Sequence, residues 1–159
     1  MKLKICDFGL SRMFNIPLSK LTHEIITLWY RPPEVLLGLE NYTTKVDSWS
    51  IGCIMAEMIT GNPLFPGDCE IGQLFKIFEI MGTPNEDTWP GISKLPDYKK
   101  TFPQWKPKSL KNLFPSFDSD GIDLMEKFLS VDPNKRITIR EALNHPFIAN
   151  IKNKEDNEI

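Results

Sequence analysis

The sequence predicts a mainly helical domain with a short strand-like edge at its start. Three observations carry this. Apolar residues recur at helical spacing in several stretches of 10–16 residues. Glycines and capping pairs mark where those stretches begin and end. A partial apolar–polar alternation over residues 3–8 runs into Asp7-Phe8-Gly9, the pattern of a short strand entering a turn.

The elements follow in order. Residues 9–31 hold no sustained period and read as a long irregular segment, a kind that is usually functional or disordered. Thr44 stands three positions before Asp47, the capping-box spacing with Asp in the place of Glu or Gln. From there Val46, Trp49, Ile51, Cys53, Ile54, Met55, Met58 and Ile59 make a helix apolar almost all round, which predicts a core helix ended by Gly61. Ile71, Leu74, Phe75, Ile77, Phe78 and Met81 predict a second helix over residues 70–81, stopped by Gly82. Residues 83–117 hold many of the prolines, with Trp89, Tyr98 and Trp105 among them, and predict packed irregular connections with one or two helical turns. Ile122, Met125, Phe128 and Leu129 predict a third helix over residues 119–129. Thr138-Ile139-Arg140-Glu141 is a full capping box, opening a short helix that Pro146 is expected to end. Residues 152–159 are charged and are expected to fray.

Composition bounds the function. The chain has 159 residues, enough for one ordinary domain, and is 41% hydrophobic and 25% charged, a globular balance. Nineteen Lys and Arg against 21 Asp and Glu give a net charge of −2, with no clustered positive charge for nucleic acid or an anionic membrane. The longest mostly apolar run, residues 51–59, carries Glu57 and is too short to span a bilayer. Residues 1–7 lack the apolar run of a signal peptide. Three cysteines without regular spacing argue against a disulfide framework, so an intracellular setting, nucleus or cytoplasm, is expected. Two distant histidines and no C-x-x-C leave no expected zinc site.

The chemistry lies in motifs. Asp7-Phe8-Gly9 alone is three common residues. It gains weight from the irregular segment after it and from Trp29-Tyr30-Arg31-Pro32-Pro33-Glu34, which closes that segment. D-F-G, a phosphosite loop and A-P-E come in this order in protein kinases, here with Pro32 for the alanine. Asp47-Ser48-Trp49-Ser50-Ile51-Gly52 fits D-x-W-S-x-G, and Arg136 follows far downstream. The chain resembles the C-terminal part of a eukaryotic serine/threonine protein kinase. Residues 21–31, together with Leu64-Phe65-Pro66-Gly67-Asp68, Gly82-Thr83-Pro84 and Leu95-Pro96-Asp97-Tyr98-Lys99, resemble cyclin-dependent kinases. The resemblance covers residues 3–148, a partial kinase domain made of activation segment and helical lobe. Residues 149–159 form a charged tail.

The resemblance implies a set of roles, each with a plainer rival. Asp7 would chelate the magnesium that bridges the phosphates of ATP; otherwise it is a turn aspartate. Cys6 would line the nucleotide pocket, or is only a small buried hydrophobe. Thr22 would be the activating phosphosite and Arg12 a partner for its phosphate; the rival is an unmodified loop threonine. Ile26 and Arg31 would shape a pocket for proline after the target Ser or Thr. Proline lacks a backbone N–H, and any other residue there would leave one unpaired, at a cost of about 1–3 kcal/mol. Arg31 is otherwise a solvated charge. Thr27 would steady the catalytic aspartate and lysine. Glu34 and Arg136 would form a buried structural pair. Asp47 would anchor the backbone of the catalytic loop, a role compatible with capping by Thr44. Asp68, Glu70, Ile71, Asp97 and Tyr98 would dock a small kinase regulatory subunit, or form an ordinary solvated face; Gly72 stands where an acidic residue is common. Cyclin and Ser/Thr-Pro proteins are the implied partners.

The 159 residues contain no G-x-G-x-x-G, no V-A-I-K-like strand and no His-Arg-Asp. Phosphoryl transfer rests on positioning and electrostatic stabilisation. The N-terminal lobe and catalytic loop are thus expected to be absent, and the chain alone inactive and marginally stable. The readings that follow are a partial record of a full kinase, a non-catalytic module binding regulatory subunits or substrates, and a decayed copy.

Overall fold

The computed structural model describes residues 4–9 and 27–156, with side chains through residue 151. Among them the chain runs through a 3-10 turn at Leu28–Tyr30, α1 (Pro33–Leu36), α2 (Lys45–Thr60) and α3 (Glu70–Met81). A second 3-10 turn at Ile92–Lys94, α4 (Leu110–Leu113), α5 (Ser119–Phe128), α6 (Ile139–Ala142) and α7 (Pro146–Asp156) follow. The mainly helical fold expected from periodicity is the observed one. The short initial strand is not formed among the described residues: residues 4–8 are exposed and irregular, with Asp7 at φ 61°. A strand needs a continuous extended run, and the left-handed backbone at Asp7 interrupts it.

Helix α2 is the axis of the core. Trp49 is fully buried and stacks on Phe65, ring centroids 5.7 Å apart. Burying a side chain of this kind stabilises by roughly 1.5–3 kcal/mol. Gly52 lets α2 approach α5 closely, since a Cβ there would lie 2.8 Å from the Cβ of Phe128. Gly61 ends the helix in the left-handed region, φ 74°, as its C-cap position predicts. The helix is not enclosed on every side. Val46, Trp49, Cys53 and Ala56 face inward, whereas Ile51, Ile54 and Met58 are 40%, 47% and 79% exposed. Its start also departs from expectation. The Thr44 backbone is already helical, φ −57° and ψ −9°, and its side chain caps nothing. A capping hydroxyl is normally aimed from extended backbone. Thr43 Oγ1 instead accepts from the Lys45 N–H at 3.3 Å.

Helix α3 has the expected bounds. It buries Leu74, Ile77 and Phe78, and its cap is the Cys69 sulfur, which accepts from the Gly72 N–H. Asp118 caps α5 through the Gly121 N–H. The box at Thr138 and Glu141 is complete. Pro146 does not simply close this region. It opens α7, where its missing N–H costs nothing in the first turn, and the backbone stays helical through Asp156. Phe102 and Trp105, in the connection between α3 and α4, pack edge-on and tilted against Phe75 of α3.

Candidate active site and docking groove

Residues 29–31 are fastened to the start of α3. Trp29 Nε1 donates to the Gly67 carbonyl at 2.9 Å. The buried Gln73 amide donates to the Trp29 carbonyl at 3.2 Å, and its oxygen accepts from the Gly67 N–H at 2.9 Å. Arg31 Nη1 meets Glu70 Oε1 at 2.7 Å, the Arg31 side chain being only 12% exposed. Between them, the Tyr30 hydroxyl donates to Glu57 Oε2 at 2.7 Å, and Ser50 Oγ donates to the Tyr30 carbonyl. The bond to Glu57, aided by burial, raises the Tyr30 phenol above its ordinary range. Arg31 is thus not a solvated charge.

Glu34 and Arg136 form a bidentate buried pair. Nη1–Oε1 is 2.6 Å and Nη2–Oε2 is 2.7 Å. Arg136 also donates to the carbonyls of Ser130 and Lys45 and lies over the Trp49 ring at 5.1 Å. Four of the five guanidinium donors are therefore used, which favours toleration of a buried ion pair.

Asp7 is exposed, with φ 61°, a left-handed conformation that Asp accepts better than most side chains. Its Oδ1 accepts from the Gly9 N–H at 3.3 Å. A carboxylate so placed can serve as one hard-cation ligand. Among the described residues, no group of three His, Cys, Asp or Glu side chains could hold a metal ion. Asp7 alone would supply a single ligand to such a cation, so the described residues do not by themselves complete a magnesium site. Cys6 beside it is exposed, so the reading of it as a small buried hydrophobe fails. Thr27 is exposed and its carbonyl accepts from the Tyr30 N–H. Asp47 lies in the first turn of α2, and burial raises its carboxyl. Arg12, Thr22 and Ile26 lie outside the described residues.

Glu70, Ile71 and Asp97 come together at a groove of about 300 Å³. Leu36, Leu74 and Phe102 give it an apolar lining, and Lys99 adds a positive charge. Asp68 and Tyr98, expected on the same surface, do not line it. Asp68 is exposed beside Gly72, and the half-buried Tyr98 hydroxyl donates to the Pro84 carbonyl at 3.3 Å.

Sequence reasoning missed Gln73 and Gly67 as structural partners of Trp29. The available signal was a glutamine on the buried side of an amphipathic helix, since a buried amide requires partners.

Nearly the whole chain matches one family. The family model for the protein kinase domain covers residues 1–148. The chain belongs to the protein kinase family, and its mainly helical fold is consistent with the C-terminal lobe. Kinases of this family generally use ATP and magnesium.

Proposed function

We propose that the chain is the activation segment and helical lobe of a cyclin-dependent-kinase-type enzyme, which transfers the γ-phosphoryl group of ATP to a Ser or Thr followed by proline. Asp7 takes one position on magnesium, and Cys6 borders the nucleotide. Thr22 is the phosphosite, with Arg12 as a phosphate partner. Ile26 and Arg31 form the proline pocket, Thr27 supports the catalytic groups, and Asp47 anchors the catalytic loop. The unit is residues 3–148, followed by a charged tail over residues 149–159. Its setting is intracellular, with cyclin as partner and no nucleic acid or membrane. The observation that carries the reading is Arg31, drawn out of solvent and ion-paired beside the loop-closing Pro32-Pro33-Glu34.

By themselves the 159 residues contain neither the glycine loop, the strand lysine nor His-Arg-Asp, so this polypeptide alone transfers no phosphate. A second reading, a non-catalytic fragment that binds kinase regulatory subunits or substrates, is favoured by the groove at Glu70, Ile71 and Asp97. The test is made on the purified chain with ATP, magnesium and paired Ser-Pro and Ser-Ala peptides. The expected result is stronger binding of the Ser-Pro peptide and no transfer. Equal binding of the two peptides overturns the proline-directed reading. Transfer abolished by Asp7→Asn overturns the inactivity of the chain.

A further inference from the structure

We propose that Glu70 is a positioning residue for target selection, acting through Arg31. The inference rests on the reading of Arg31 given above. An arginine has several rotatable bonds and a rigid planar head, so one well-placed carboxylate fixes the plane in which its other donors point. Glu70 is well placed. It stands in the first turn of α3, next to the Cys69 cap, and reaches Arg31 Nη1 at 2.7 Å. The backbone on either side of the contact is already held. Gln73 and Gly67 grip Trp29 on the α3 side, and Ser50 grips the Tyr30 carbonyl on the α2 side. The guanidinium is thus presented from a fixed backbone and steadied at its tip.

The two side chains differ in exposure, 12% for Arg31 and 62% for Glu70. Such an exposed acid contributes little to the fold. Removing Glu70 therefore changes what Arg31 does without emptying a core site. Selectivity and stability are separable at this pair, unlike at Glu34 and Arg136.

The experiment uses the full chain and the ratio of affinities for the Ser-Pro and Ser-Ala peptides. Glu70→Ala is expected to narrow that ratio by about fivefold, the weight of one modest hydrogen bond. Near-UV circular dichroism and Tm are expected to stay as in the unsubstituted chain. Glu70→Gln keeps an acceptor oxygen in the same place and is expected to give an intermediate ratio. It also decides the matter if Glu70→Ala does not fold. In isotope-labelled protein, the Arg31 Nε–Hε resonance is expected to shift in both variants. A ratio unchanged in the folded variants, or an unmoved Arg31 resonance, overturns the role of Glu70. An unsubstituted chain that does not prefer the Ser-Pro peptide overturns the underlying reading of Arg31 instead.

Discussion

His145 Nε2 lies 2.7 Å from Asp123 Oδ2, tying the residue before α7 to the middle of α5. Lys127 reaches the same oxygen from one turn along. The Phe147 N–H donates to His145 Nδ1 at 3.3 Å, so the ring is held from both sides. The Lys127 bond, then the His145 bond, hold the Asp123 carboxyl below its usual range. A carboxyl depressed in the folded state stabilises above its unfolded pKa, about 3.9, and loses that contribution as pH falls through the folded value. Asp123 is half exposed, so the contribution is below about 1 kcal/mol. Urea midpoints of Asp123→Asn and the unsubstituted chain should differ at pH 6 and converge below pH 4. A gap that widens in acid would contradict this assignment.

Breaking the Glu34–Arg136 pair should be far more damaging. Glu34→Ala or Arg136→Ala strands a buried charge and is expected to cost about 3–5 kcal/mol in chemical denaturation. The paired change Glu34→Leu with Arg136→Met should cost less than either alone, because no charge is left behind.

The cysteines should separate by reactivity. Cys53 is buried and burial raises its thiol well above the ordinary range. Cys6 and Cys69 are exposed. Thiol labelling of native protein should modify Cys6 and Cys69 and spare Cys53 until denaturant is added, with peptide mapping as the readout.

The outward stripe of α2 should bind apolar dye. Met58, 79% exposed, lies on the same side as Ile54. Met58→Glu should lower ANS fluorescence while shifting stability by no more than about 0.5 kcal/mol. Unchanged dye binding would place the sticky surface elsewhere.

Much of the helical plan could be read along the chain. The bounds of α3 and the cap at Thr138 follow from local spacing, and both formed as expected. The box at Thr44 and Asp47 did not form, because spacing alone does not reveal whether the capping residue has extended backbone. Helix α2 looked apolar all round, yet one stripe faces outward. Composition records that a side chain is apolar, not whether a neighbour covers it. The Glu34–Arg136 pair was reachable only through family resemblance. The contacts of Trp29 with Gly67 and of Arg31 with Glu70 span 38 and 39 positions and leave no periodic trace.

The Glu34–Arg136 bond also sets an order of events. Its partners are 102 positions apart, and closing so long a loop costs on the order of 4 kcal/mol of chain entropy. The helices between them are expected to condense before the two side chains meet, which would make this contact a late arrival, to be checked by the folding and unfolding rates of Glu34→Ala. Late contacts are absent from the rate-limiting ensemble, so weakening them hastens unfolding and leaves the refolding rate nearly untouched. The pair therefore acts as a latch on the finished domain: it governs how long the folded chain persists, not how quickly it assembles.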